Sequence, residues 1–271
     1  KRMPAKQPQH LTSRLHEIQT KQKKHSLNQL NKTIQIHVYP FMRYAISDIH
    51  GNRRSFEALL DQIAFSESDT LYLLGDYIDR GPDAKGVFDL IFRLREQGYQ
   101  IEALLGNHED MMLDAREGRP KDLDIWLVNG GTQTLKSFPK PYLKAVDERY
   151  WQFMEQLPTI LEVDNFILVH AGLNFKKEQP LKEETGHLWA RKWYHSIDYK
   201  WLGDRIIVHG HTTEERNNIL RMRDHLDQLR YIDIDNGCYR YDNPKKGHLC
   251  AFNLDTRELT FQKNIDVFWT D

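Results

Sequence analysis

Five short apolar runs in this chain stop abruptly on side chains that bind metals or move protons. Tyr44-Ala45-Ile46-Ser47 leads into Asp48 and His50, and Leu71-Tyr72-Leu73-Leu74 into Gly75-Asp76. Ile101-Glu102-Ala103-Leu104-Leu105 leads into Gly106-Asn107-His108, Phe166-Ile167-Leu168-Val169 into His170, and Ile206-Ile207-Val208 into Gly210-His211. Runs of four or five apolar residues read as strands. In open α/β sheets, ligands sit outside the carboxyl ends of strands. Five such ends carrying carboxylate, amide or imidazole are poorly explained by packing.

The intervals between these runs carry helical spacing. Phe56, Leu59, Leu60 and Ile63 fall on one helical face, as do Val87, Leu90, Ile91 and Leu94. A further helix is expected to carry Met111 and Met112. Residues 122–157 also read as helical, with Trp126, Leu127, Tyr150, Trp151 and Met154, ending at Pro158. Residues 231–234, 249–254 and 259–262 read as closing strands. Strand–helix alternation followed by further strands predicts an α/β domain of packed sheets with outer helices.

Charge divides the chain. Residues 1–32 hold eight Lys or Arg against one acid, Glu17, and no aromatic residue, whereas the molecule as a whole has a formal charge of −1. Residues 1–41 therefore read as a solvated basic tail, an unstructured leader or an extension upstream of a natural start at Met42, with residues 42–271 as the domain. The balanced charge argues against nucleic acid as a partner. Two cysteines, Cys238 and Cys250, cannot build a disulfide framework and read as free thiols in a reducing compartment. With no apolar run long enough for a membrane span or a signal peptide, a cytoplasmic location is expected.

The local spacing suggests how the polar residues work. Asp48 and His50 are two apart, so in extended backbone they would point the same way and reach one ion. Asp76 can present its two oxygens to two ions. Arg80 can donate two parallel hydrogen bonds to a phosphate. Mixed oxygen and nitrogen ligands favour Mn, Fe or Zn over Ca or Mg. Each motif alone has a plain structural reading: a surface ion pair for Asp79 and Arg80, a core histidine for His170, strand-end residues for His209 and His211. Their joint occurrence at strand ends is what carries weight.

Taken in order, Asp48-x-His50-Gly51, Gly75-Asp76-x-x-Asp79-Arg80-Gly81, Gly106-Asn107-His108-Glu109, His170-Ala171-Gly172 and Gly210-His211-Thr212 resemble the signature set of the PPP-type serine/threonine protein phosphatases. These lie within the calcineurin-like metallophosphoesterases. The resemblance runs from about Met42 to the C-terminus and is nearest to the bacterial and lambda-phage branch. It implies a calcineurin-like fold with packed central β-sheets flanked by helices. It also implies two divalent metal ions, Mn with Fe or Zn as alternatives. One ion would take Asp48, His50 and Asp76, and the other Asp76, Asn107, His170 and His211. His209 would be structural.

The same resemblance assigns the chemistry. A metal-bound hydroxide would attack phosphorus directly. Arg80, Asn107 and, by the segment Leu188-Trp189-Ala190-Arg191, Arg191 would bind phosphate. His108 would protonate the leaving group, with Asp79 orienting it and keeping it charged. The substrate would be a phosphorylated protein or a small phosphomonoester. Dinucleoside polyphosphate or nucleotide hydrolysis on the same scaffold is the alternative, with Asp79 favouring the protein phosphatases. A binding module that has lost catalysis is disfavoured because none of these residues is missing. No Gly-x4-Gly-Lys-Ser/Thr loop is present.

Overall fold

The structure, a computed structural model, describes residues 41–266. The expected tail, residues 1–41, lies outside them except for Phe41. Among the described residues, nine strands build two sheets. β1 (Arg43–Ile46), β2 (Thr70–Leu73) and β3 (Gln100–Ala103) are parallel, and β8 (His248–Asn253) and β9 (Leu259–Lys263) extend that sheet antiparallel, in the order β3-β2-β1-β8-β9. In the second sheet β5 (Phe166–Val169), β6 (Ile206–His209) and β7 (Tyr231–Asp233) are parallel and β4 (Ile160–Val163) is antiparallel, in the order β4-β5-β6-β7.

The runs of β2, β5 and β6 lack polar alternation because both faces of these strands are covered, whereas β3 at the sheet edge alternates and leaves Gln100 and Glu102 exposed. Side chains still alternate by face. Ala45, Tyr72, Leu74, Phe166, Leu168, Val208 and Phe252 form a core between the sheets. Ile46, Leu71 and Leu73 turn the other way, onto α1 (Arg53–Gln62), α2 (Ala84–Glu96) and α3 (Asn107–Arg116) through Phe56, Phe88 and Met112. Ile167, Val169 and Ile207 face Trp193 and Leu202 on the far side of the second sheet. The expected α/β architecture of packed sheets and flanking helices is what forms.

Two expectations differ from the fold. Residues 122–157 are not one helical stretch. The chain forms α4 (Pro120–Trp126), a π-helical turn (Leu127–Gly131), α5 (Thr132–Ser137), a 3₁₀ turn (Leu143–Ala145) and α6 (Glu148–Glu155). Gly130, at φ 117°, breaks the helical path, and Pro139 and Pro141 supply no backbone donor to continue it. Strand β4 was not anticipated. Its residues Ile160, Leu161 and Val163 are apolar but only partly buried at the sheet edge, and their pairing with β5 defines them as a strand. Short helices also lie between and after the strands of the second sheet: α7 (Glu184–Trp189), α8 (Tyr199–Leu202), α9 (Arg216–Asp224) and α10 (Leu226–Leu229). Among the described residues no helix is long and apolar enough to cross a membrane. Cys238 and Cys250 are both free and buried.

Candidate active site

The carboxyl ends of β1, β2, β3, β5 and β6 converge. Hydrogen bonds continue past the strands: His50 N donates to Asp76 O (2.8 Å), Gly51 N to Tyr77 O (2.7 Å), and Gly210 N to His170 O (2.8 Å). The two sheets are tied at this edge by His170 Nδ1, 2.8 Å from Leu74 O, and by His211 N, which donates to Asp48 Oδ2 at 3.0 Å.

Asp48 and His50 do converge, but not through extended backbone. Both adopt left-handed conformations (φ 56° and 47°), as do Asp76 (56°), Asp79 (68°), Arg80 (67°) and His211 (71°). The chain has to turn away as soon as each strand ends, and the left-handed turn is what aims these side chains inward. Each such residue costs on the order of 1–3 kcal/mol, and this kind of strain collects at functional sites.

Asp76 lies at the centre. Its Oδ2 is 3.5 Å from His50 Nε2, and its Oδ1 is 3.4 Å from His170 Nε2. On the first side, Asp48 Oδ1 is 3.8 Å from His50 Nε2. On the second, Asn107 Oδ1 is 2.9 Å from His170 Nε2 and 2.8 Å from His211 Nδ1. All of these residues are buried.

This donor set fits metal ions, and the imidazole tautomers argue why. Leu74 O can only accept, so His170 carries its hydrogen on Nδ1 and its Nε2 presents a lone pair. That lone pair faces the oxygens of Asn107 and Asp76. Likewise Ile78 O, 2.8 Å from His50 Nδ1, leaves His50 Nε2 as an acceptor beside Asp76 and Asp48, and Arg80 Nη1 supplies a cationic donor to it at 2.7 Å. Packed lone pairs repel unless a cation lies between them. His211 Nε2 has no partner among the described residues. Burial, followed by the charge of Arg80, pushes His50 well down, so it remains a neutral donor. Burial lowers His211 in the same way. The groups able to hold an ion are His50, Asp76 and His108, and Asp76, His170 and His211, each with ligand atoms within 4.8 Å of one another. His108 is the less apt ligand of the first group. Its Nε2 is 3.9 Å from Asp76 Oδ2 and its Nδ1 is engaged by Asp79, while Asp48 Oδ1 lies on the same side, 3.8 Å from His50 Nε2.

His108 instead makes a close pair with Asp79, Nδ1 to Oδ2 at 2.6 Å. The Asp79 carboxylate also accepts from Trp126 Nε1 (3.0 and 3.1 Å) and Thr134 Oγ1 (2.6 Å). The contact holds the His108 ring against Asp79. Burial pushes His108 down to about 4 and pushes the Asp79 carboxyl up. Arg80 Nη1 lies 2.7 Å from His50 Nε2, beside the same cluster. Arg191 is exposed at the rim, where Nη1 donates to Thr212 Oγ1 at 3.1 Å, next to His211. His209 points elsewhere, donating to Gly210 O (3.0 Å) and accepting from Tyr194 (3.3 Å).

Glu109 had no expected role beyond its motif. It is fully buried, and its oxygens accept from the backbone N–H groups of Asp76 (2.8 Å), Tyr77 (2.9 Å), Ile78 (3.2 Å) and Gly106 (3.1 Å). It thus clamps the loop carrying Asp76 to the start of α3, which carries Asn107 and His108. The two loops touch closely enough that a Cβ on Gly75, at φ 91°, would lie 2.5 Å from Gly106 Cα. Trp126 and Thr134 were also missed as partners of the site. They stand 47 and 55 residues from Asp79, and an indole in a helical pattern gives no sign that its N–H is used.

Comparison with known proteins agrees with this geometry. The chain is 34% identical over 156 residues to serine/threonine-protein phosphatase 1 of Salmonella typhimurium, covering 55% of this chain and 68% of that protein. It is 35% identical over 140 residues to a symmetrical bis(5'-nucleosyl)-tetraphosphatase of Nitrosomonas europaea, covering 50% of this chain and 47% of that one, so the match spans under half of that relative's length. The fold is shared with a Saccharomyces cerevisiae protein serine/threonine phosphatase (TM-score 0.58, 13% identity, 86% and 82% of the two chains). It is shared also with a cold-active protein tyrosine phosphatase (TM-score 0.55, 21% identity, 84% and 82%). Residues 43–249, which hold every strand of the site and each clustered side chain, match the calcineurin-like phosphoesterase family, and the chain belongs to it.

Proposed function

We propose that this chain is a two-metal phosphomonoester hydrolase acting on phosphorylated proteins. Asp48, His50 and Asp76 would hold one divalent cation, and Asp76, Asn107, His170 and His211 a second. The mixed oxygen and nitrogen donors favour Mn, Fe or Zn. When bound, such cations supply Lewis acidity, neutralising phosphoryl charge and acidifying water.

The protein's own groups do the rest. Arg80, Arg191 and the Asn107 amide bind and orient the phosphoryl oxygens and stabilise their charge in the transition state. His108 donates a proton from Nε2 to the leaving oxygen, and Asp79 holds the ring in place through Nδ1. A phosphoryl dianion beside His108 favours the protonated ring, offsetting the burial that keeps it neutral in the free site. No covalent intermediate is needed, and Cys238 and Cys250 are both buried away from solvent.

The observation that carries this reading is the His108–Asp79 pair at 2.6 Å, with the opposite nitrogen of His108 turned toward Asp76. It supplies a leaving-group acid directly beside the candidate metal cluster. The second reading, hydrolysis of dinucleoside polyphosphates, is supported by the relatives that carry that name. The retained Asp79 favours the first. Mn²⁺-supplemented assays with phosphoserine, phosphotyrosine and phosphohistidine peptides and with diadenosine tetraphosphate decide between them. Turnover of a phosphopeptide well above that of the dinucleotide is expected; the reverse order assigns the chain to the second reading.

A further inference from the structure

Arg80 is held in an unusual way. Among the described residues no carboxylate lies within ion-pairing distance of it. Its guanidinium sits over the ring of Tyr239, with Cζ 4.4 Å from the centroid, and Nη1 reaches His50 Nε2 at 2.7 Å. The Tyr239 ring in turn meets the His50 ring edge-on, with centroids 5.1 Å apart and an interplanar angle of 84°. The turn that carries Tyr239 is itself tied down. Gly237 N donates to Asp235 Oδ1 (2.7 Å), Asn264 Nδ2 to Cys238 O (2.8 Å) and Arg240 N to Gly237 O (2.8 Å).

We propose that Tyr239 is a positioning residue that holds Arg80 for the substrate phosphate without neutralising it. A carboxylate partner would orient a guanidinium but cancel much of its charge. An aromatic face orients it through its quadrupole without cancelling its charge or occupying its in-plane donors. Fixing the side chain beforehand lowers the ordering cost when phosphate binds. Tyr239 lies 159 residues from Arg80, on the turn after β7, and belongs to none of the motifs that mark the site. The inference rests on the phosphoester-hydrolase reading for its substrate, but the contact can be tested through phosphate alone.

The test uses the metal-loaded protein, with inorganic phosphate binding followed by calorimetry, p-nitrophenyl phosphate hydrolysis in parallel, and metal content measured for each variant. Tyr239→Leu should weaken phosphate binding by about 3- to 30-fold, the range expected for losing a partly buried cation–π contact. Tyr239→Phe, which keeps the ring, should stay within about twofold of the parent. Metal content should not change. In an Arg80→Ala background, Tyr239→Leu should add less than about twofold, because the residue acts through Arg80. An unchanged phosphate affinity in Tyr239→Leu overturns the proposal. So does an equal loss in the Arg80→Ala background, which would mark a general packing defect, or a loss of metal. A parent protein that binds phosphate in a Tyr239-dependent way yet hydrolyses no phosphoester would overturn the functional reading and leave this contact standing.

Discussion

His108 Nδ1 and Asp79 Oδ2 lie 2.6 Å apart in a buried pocket, and the other nitrogen of His108 faces the Asp76 carboxylate 3.9 Å away. One ring thus touches an orienting acid on one side and the candidate metal cluster on the other. His108→Asn should lower turnover by about 10²–10⁴-fold, the usual worth of a general acid. Metal content by elemental analysis should stay at the parent value. Loss of an ion would instead move His108 into the ligand set.

Trp126 donates to both Asp79 oxygens. Trp126→Phe removes that donor while keeping most of the buried ring. A drop in kcat of about tenfold is expected, in line with one hydrogen bond to a charged group, with little change in melting temperature. Unaltered kcat would show that Thr134 and His108 suffice to hold the carboxylate.

The two sides of the site should empty separately. Among the candidate ligand nitrogens Asp48 approaches that of His50, its Oδ2 otherwise accepting the His211 backbone N–H, whereas the Asp76 oxygens approach the ligand nitrogens of both His50 and His170. Asp48→Asn is expected to lose one metal ion per chain, and Asp76→Asn both. Titration of the stripped protein with Mn²⁺ reads the stoichiometry directly.

Glu109 accepts from four buried backbone N–H groups. Glu109→Ala leaves those donors unpaired and opens a cavity, so a loss of roughly 3–5 kcal/mol in unfolding free energy is expected. Urea denaturation monitored by Trp fluorescence measures it, and a change below about 1 kcal/mol would mean that the loops hold together without the clamp.

Acid should weaken the fold through His187, whose ring bonds to Pro180 and Thr159 and to none of the clustered ligands. This buried ring meets Pro180 O at 2.9 Å and Thr159 Oγ1 at 2.9 Å, and burial lowers its pKa despite Glu183 and Glu184. The unfolded chain, with the ordinary value near 6.5, therefore binds the proton more readily than the folded one. The stabilising contribution is complete above about pH 6.5 and declines as pH falls toward the lower folded value. Melting temperatures of the parent and of His187→Gln between pH 7.5 and 4.5, a span of about three pH units, should differ in slope, the variant being flatter.

Much of the site was legible in advance because its residues stand where strands stop. Asp48, His50, Asp76, Asn107, His170 and His211 follow apolar runs directly, and a parallel sheet brings such ends to one edge. The left-handed backbone at Asp48 and His50 was not legible, because spacing counts residues and not dihedral angles. The broken helix over 122–157 was misread because Trp126, Leu127, Tyr150 and Trp151 keep apolar character across Gly130 and two prolines. Strand β4 was overlooked although Ile160, Leu161 and Val163 are apolar, because so short a run takes its identity from pairing with β5.

The order of apolar runs and polar stops along this chain was enough to determine an α/β domain with a metal-binding edge. That pattern is local, and burial on both strand faces writes it into consecutive residues. Tertiary structure alone decided which side chains stand behind the site. Trp126 and Thr134 reach Asp79, Tyr239 lies under Arg80, and Glu109 joins two loops, through contacts between residues dozens to more than a hundred positions apart. A hydrogen bond or a stacked ring depends on where atoms meet in space, and no periodicity in the chain records that.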